Sequence, residues 1–100
     1  MKPTTKSTNG TSFHNSMIKC SVETLRKILG EPTYDDNSGD DKVNYEWEME
    51  TSNGDVFTVY DWKEYRSLND TDIIEWHIGG HNRNVTERAK MEIREAIVKI

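Results

Sequence analysis

An alternating stretch followed by a turn dipeptide constrains the fold of this chain more than any other feature. Between residues 43 and 50, apolar Val, Tyr, Trp and Met alternate with Asn and Glu, a period of two that is typical of a half-buried strand. Asn53-Gly54 follows, the strongest short-range signal for a β-hairpin, and residues 56–62 supply the return strand. The sequence therefore predicts an antiparallel hairpin.

The flanking segments predict an α+β domain. Residues 12–20 form a weaker strand, and residues 22–29 carry apolar side chains at helical spacing between an N-cap serine and Gly30. Residues 73–78 form a further strand, and a helical stripe follows from residue 84 to the C-terminus. The predicted order is β-α-β-β-β-α, an antiparallel sheet of three to four strands with two helices packed on one face.

The boundaries and the compartment follow from local composition. Residues 1–10 are rich in Thr, Ser and Lys and predict a flexible tail, and residues 11–100 predict one domain. Asn84 and Glu87 have the spacing of a capping box, which predicts the start of the last helix. Cys20 is the single cysteine and is expected to be a buried structural thiol. Without a secretory signal or a long apolar run, we expect a cytoplasmic protein that does not enter a membrane.

The hairpin has two candidate registers, and they bury different side chains. A two-residue turn places four aromatic side chains in opposed pairs, such as Trp47 with Tyr60, on the face that the helices cover. It leaves Phe57 and Val59 on the other face. A bulged three-residue turn reverses the return strand and buries Phe57 and Val59 instead. The aromatic pairing favours the two-residue turn.

The favoured register gathers an acidic ring around an apolar pair on the helix-free side of the sheet. An apolar centre inside a polar rim is typical of a protein-docking surface. A solvated sheet face is the alternative interpretation. The predicted binding residues are Glu46, Glu48, Glu50, Phe57, Val59, Asp61, Glu75 and His77.

The sequence contains no recognisable catalytic, metal or cofactor motif. His77 and His81 are four residues apart, but Gly79-Gly80 between them interrupts the helix that would place them together, so no metal ligand is expected. No glycine-rich phosphate loop is present, and no cofactor is expected. Residues 31–56 carry nine acids and one lysine, a net charge of −8, which disfavours a nucleic-acid ligand.

Four segments together resemble a family of small proteins encoded by tailed bacteriophages. They are Gly30-Glu31-Pro32, Tyr45-Glu46-Trp47, Val59-Tyr60-Asp61-Trp62-Lys63-Glu64-Tyr65 and Glu75-Trp76-His77-Ile78-Gly79-Gly80. The resemblance covers about residues 11–80, whereas the preceding tail and the basic C-terminal helix depart from it. It implies expression in the cytoplasm of an infected bacterium and binding to a host or phage protein. It implies no catalytic residues, because the family has no assigned activity.

These observations favour a non-enzymatic protein-binding module that acts through an acidic sheet face. Its partner would be a bacterial host or phage protein, and a second copy of the chain is a further candidate. One alternative is a small metal-dependent or nucleic-acid-processing accessory enzyme that uses His77, His81 and Asp61. Another is a DNA mimic that presents the acidic residues 31–56 to a DNA-binding groove.

Overall fold

The computed structural model describes residues 1–100 and contains six strands and two helices. The elements are β1 (Lys2–Pro3), β2 (Ser12–Ser21), α1 (Val22–Leu29), β3 (Tyr34–Asp35), β4 (Tyr45–Glu50), β5 (Val56–Tyr60), β6 (Ile73–Gly80) and α2 (Arg83–Val98). The strands form one sheet in the order β1-β4-β5-β6-β2, and every pair is antiparallel. The short β3 also pairs with β4, so β1 and β3 both lie along the edge of β4 that faces away from β5.

The α+β class, the antiparallel sheet and the two helices are confirmed. The predicted count of three to four strands is too low, because β1 and β3 are two residues long and too short to show any periodicity. Helix α1 begins after Ser21, whose hydroxyl accepts a hydrogen bond from the Thr24 backbone amide. Helix α2 is capped by Asn82, which accepts from the Val85 amide, so the predicted start at Asn84 is wrong by two residues.

The hairpin adopts the three-residue turn, so the favoured register is wrong and the alternative is confirmed. Trp47 lies opposite Val59, and Met49 lies opposite Phe57. Gly54 has a φ of 83°, the left-handed conformation that closes a three-residue loop with a bulge. Phe57 and Val59 are fully buried as a result. The burial of these two side chains replaces the aromatic pairing that the other register would have given.

The core lies between the sheet and the two helices. We call this side of the sheet the inner face and the helix-free side the outer face. Trp47 and Trp76 meet edge to face at its centre, with ring centroids 5.5 Å apart. Their indole N–H groups donate to the carbonyl oxygens of Gly30 and Cys20 at 2.8 and 2.9 Å. The helices contribute Val22, Leu25, Leu29, Val85, Ala89 and Ile93 to the same core.

Residues 1–10 lie against the sheet. β1 pairs with Glu50 and Met49, and the Thr4 hydroxyl donates to the Glu50 carboxylate at 2.7 Å. The Lys6 ammonium donates to the Gly54 carbonyl at 2.8 Å. The segment therefore closes the hairpin end of the sheet, and its flexibility in solution stays a prediction.

Candidate binding surface on the outer face

Five of the predicted site residues lie on the outer face, and four of them are exposed or half-buried there. Glu46 and Glu48 project from β4, and Glu75 and His77 project from β6. Their inward neighbours on the same strands are fully or almost fully buried, as the alternation of a half-buried strand requires. Glu46 pairs across the sheet with Tyr60, which in turn pairs with His77. The acids of β4 and β6 are thus separated by one strand.

Glu50 belongs to the same face but is closed off by the N-terminal segment. It is 8% exposed, and Thr4 donates a hydrogen bond to its carboxylate. The ammonium groups of Lys2 and Lys6 lie 3.7 and 3.8 Å from it. These contacts hold the pKa of the Glu50 carboxyl below its ordinary value. The negative charge of Glu50 is therefore compensated by cationic groups of the same chain.

Three of the predicted residues lie outside this surface. Phe57 and Val59 belong to the core, and Asp61 is fully buried. The Asp61 carboxylate accepts from the Asn44 and Tyr45 backbone amides at 2.8 and 2.9 Å, and from the Asn44 side-chain amide at 2.9 Å. It therefore fixes the start of β4 against the end of β5, and the predicted apolar centre of Phe57 and Val59 is wrong.

Aromatic side chains form the apolar centre instead. The His77 imidazole stacks on Phe13 with ring centroids 4.0 Å apart, and the Trp62 centroid lies 6.2 Å from that of His77 with the two rings inclined by 28°. Tyr60 meets His77 edge to face at 5.5 Å. Trp62 remains 39% exposed. Sequence analysis missed this cluster because the one-residue change of register moves Tyr60 to the outer face.

The acids around this cluster form no salt bridge, although Lys19 of β2 lies opposite Glu75 in the strand pairing. Salt bridges in the protein involve ten pairs of groups, and none includes Glu46, Glu48 or Glu75. Burial, followed by the adjacent Glu48, raises the pKa of the Glu46 carboxyl to about 7. Burial lowers the pKa of His77, against the opposing effect of Glu75. The surface therefore holds one carboxyl that is poorly stabilised as an anion.

Two adjoining cavities open on this face and share Val43, Glu46 and Trp62. The first, of about 340 Å³, is also lined by Tyr34, Asp41 and Lys42. The second, of about 250 Å³, is also lined by Thr11, Ser12, Thr58, Tyr60 and Gly79. A side chain at Gly79 would place its Cβ 2.5 Å from the Thr58 hydroxyl oxygen, so a glycine is needed there.

The remaining candidates for chemistry lie apart from one another. His81 is exposed in the turn after β6, whereas His77 is enclosed by aromatic rings. No group of three or more His, Cys, Asp or Glu side chains is arranged to hold a metal ion. Burial raises the pKa of the Cys20 thiol to about 11, which suppresses the nucleophilic thiolate. Neither helix is long and apolar enough to cross a bilayer.

Comparisons with protein-family models, with curated proteins and with solved structures find no match to this chain.

Proposed function

We propose that this chain is a non-enzymatic protein-binding module whose outer sheet face docks a basic segment of a bacterial host or phage protein. The observation that carries the proposal is a set of acids without a salt bridge, Glu46, Glu48 and Glu75, on the face that also carries the exposed Trp62. Aromatic side chains that are rigid and partly exposed are the anchors of many protein interfaces. Charged residues at the rim of such a patch select the partner and speed its encounter.

The electrostatics of β4 support a cationic partner. Glu46 and Glu48 lie two residues apart on one face, so their carboxylates repel each other. A lysine or arginine placed between them would remove this repulsion and stabilise both anions. Strand β3 and the loop that precedes β4 add Asp35, Asp36, Asp40 and Asp41, which extend the negative potential beyond β4.

The other functions considered above receive less support. The enzymatic alternative requires Asp61 as a base, but this carboxylate is buried and accepts three hydrogen bonds. A DNA mimic would present its acids without interruption, whereas Glu50 of the acidic segment is neutralised by Lys2 and Lys6. Face-to-face pairing of two copies would bring like charges together.

The test is a comparison of two triple variants in capture from bacterial lysate. The first variant removes the outer acids by Glu46→Gln, Glu48→Gln and Glu75→Gln. The control removes three exposed charges elsewhere by Glu31→Gln, Asp55→Asn and Glu95→Gln, so both variants have the same net charge. We expect the wild type and the control to retain the same salt-sensitive partner and the first variant to lose it. Equal capture by both variants would contradict the proposal.

A further inference from the structure

The first cavity of the outer face has two aromatic walls and an acidic side. Tyr34 and Trp62 are 41% and 39% exposed, and the half-buried Val43 lies with them in the lining. Tyr34 is fixed by pairing of β3 with Glu46 on β4. The chain next to Trp62 is fixed by a 2.8 Å hydrogen bond from the Lys63 amide to the Lys42 carbonyl. The backbone positions of both aromatic residues are therefore fixed by hydrogen bonds.

The Trp62 ring already attracts ammonium groups of its own chain. The Nζ atoms of Lys42 and Lys63 lie 5.8 and 5.6 Å from its centroid, within the range of a cation–π interaction. Neither ammonium forms a salt bridge with a carboxylate. Lys42 also lines the cavity, so its side chain occupies the position that an external cation would take.

The acidic side of the cavity has the complementary charge. Glu46 contributes a half-buried carboxylate, and Asp41 contributes a second one from the loop before β4. Glu48 faces Glu46 from the same strand, Tyr60 faces it from β5 and Tyr34 from β3. None of these neighbours carries a positive charge. Lys42 is the one cation in the lining, and its side chain is exposed and forms no salt bridge.

We propose that this cavity, lined by Tyr34, Asp41, Lys42, Val43, Glu46 and Trp62, binds one cationic side chain of the partner. The ammonium or guanidinium group lies on the Trp62 ring with Glu46 as its counter-ion, and it displaces Lys42. The inference rests on the proposed docking of a basic segment and adds the position and chemistry of its anchor. Aromatic walls with an acid are the arrangement that recognises lysine, arginine and quaternary ammonium groups elsewhere.

The test uses tetramethylammonium as the probe and tert-butanol as its neutral counterpart of similar shape. The three tryptophan indole N–H signals are followed by NMR at constant ionic strength. We expect tetramethylammonium to shift the Trp62 signal saturably, and tert-butanol to leave it in place. The signals of Trp47 and Trp76 should stay unchanged, because both indoles are buried and bonded to backbone carbonyls.

Variants locate the site and identify the competitor. Glu46→Gln should weaken tetramethylammonium binding about fivefold or more, whereas the control Glu95→Gln, at an exposed acid of α2, should change it less than twofold. Lys42→Gln should strengthen binding about two- to fivefold, because it removes one of the two ammonium groups on the Trp62 ring, the one that lines the cavity. Thermal melts should show that all three variants fold.

Several results would overturn the inference. They are an unmoved Trp62 signal, equal shifts with tert-butanol, an unchanged affinity in Glu46→Gln, or a weaker affinity in Lys42→Gln.

The capture experiment on the outer acids is independent of this probe. Loss of the partner in the outer triple variant, together with no response to tetramethylammonium, would retain the docking face and reject the cavity. Saturable binding of tetramethylammonium, together with capture that survives the triple variant, would reject the docking face alone.

Discussion

The two faces of the sheet are both rich in aromatic side chains, but only one of them is closed. On the inner face, Trp47 and Trp76 are fully buried, and each indole N–H donates to a backbone carbonyl. On the outer face, Trp62 is 39% exposed and its indole makes no such bond. A buried indole needs a partner for its N–H, whereas an exposed one is satisfied by water. The inner tryptophans therefore maintain the fold, and Trp62 is available to a ligand.

The acids of β4 show the same contrast between a closed and an open surface along a single strand. Glu50 is covered by the N-terminal segment, and Thr4, Lys2 and Lys6 compensate its charge. Glu46 and Glu48 lie on the same face beyond that segment and have no such compensation. The difference shows that the chain supplies counter-charges where it closes its own surface. It supplies none within salt-bridge distance of Glu46 and Glu48, where the same strand stays open.

The largest expected effect is the difference in stability loss between a variant of a buried tryptophan and a variant of the exposed one. Trp47→Ala should lower the free energy of unfolding by about 3–5 kcal/mol, because it empties a fully buried site. Trp62→Ala should lower it by about 1 kcal/mol or less, since the side chain is partly exposed. Urea melts of both variants measure the difference. Equal losses would show that Trp62 is a structural residue.

A second prediction concerns Asp61, the buried carboxylate that was predicted to lie on the sheet surface. Asp61→Ala should cost about 2–4 kcal/mol, because three buried donors lose their acceptor. Asp61→Asn should cost less, since its carbonyl oxygen retains both backbone bonds, which share one carboxylate oxygen. Urea melts rank the two variants. A cost for Asp61→Ala within about 0.5 kcal/mol would place Asp61 on the surface after all.

The close packing of the outer face at Gly79 gives a third, smaller effect. Gly79→Ala should cost about 1–3 kcal/mol, because the new methyl group would lie 2.5 Å from the Thr58 hydroxyl oxygen. Thr58→Ala removes that oxygen, so the double variant should recover most of the loss. Thermal melts of the wild type, the two single variants and the double variant form a double-mutant cycle that gives the interaction energy of the two positions. Additive losses would mean that the two positions do not meet.

The smallest effect is the response of Glu46 to pH. Its pKa is about 7 in the folded chain and 4.5 as the ordinary value, so the folded state binds this proton more tightly. The free energy of unfolding should therefore fall by about 1 kcal/mol as the pH rises from 4.5 to 7, with allowance for partial exposure. Glu46→Gln should remove this slope and be the more stable form above pH 7.

The control for this prediction is Glu95→Gln, which removes an exposed acid of α2 and should retain the slope. His77 acts in the opposite direction, because its lowered pKa makes the folded state lose stability as the pH falls below 6.5. That contribution is present in the wild type and in Glu46→Gln alike, so their difference isolates Glu46. If the free energies of unfolding of the wild type and of Glu46→Gln changed with pH in parallel, that result would contradict the raised pKa of Glu46.

The fold was largely predictable from the sequence, whereas the site depended on one residue of register. The alternation in β4 and the cap at Ser21 are local signals, and both were read correctly. Asn53-Gly54 marks a hairpin but does not set its length, because Gly54 can serve in a two-residue or a three-residue loop. That single residue decides whether Phe57 or Tyr60 faces the helices. The three donors of Asp61 are distant in sequence and leave no local pattern.

The central claim is that the open outer face binds a basic segment, and an NMR titration with a short peptide of alternating arginine and glycine tests it most directly. We predict that the Trp62 indole and the amides around Glu46 and His77 shift saturably, while the Trp47 indole does not. A peptide with glutamate in place of arginine should produce no shifts. Shifts confined to α2, around Arg83, Arg88, Lys90 and Arg94, or an unmoved Trp62 signal, would contradict the claim.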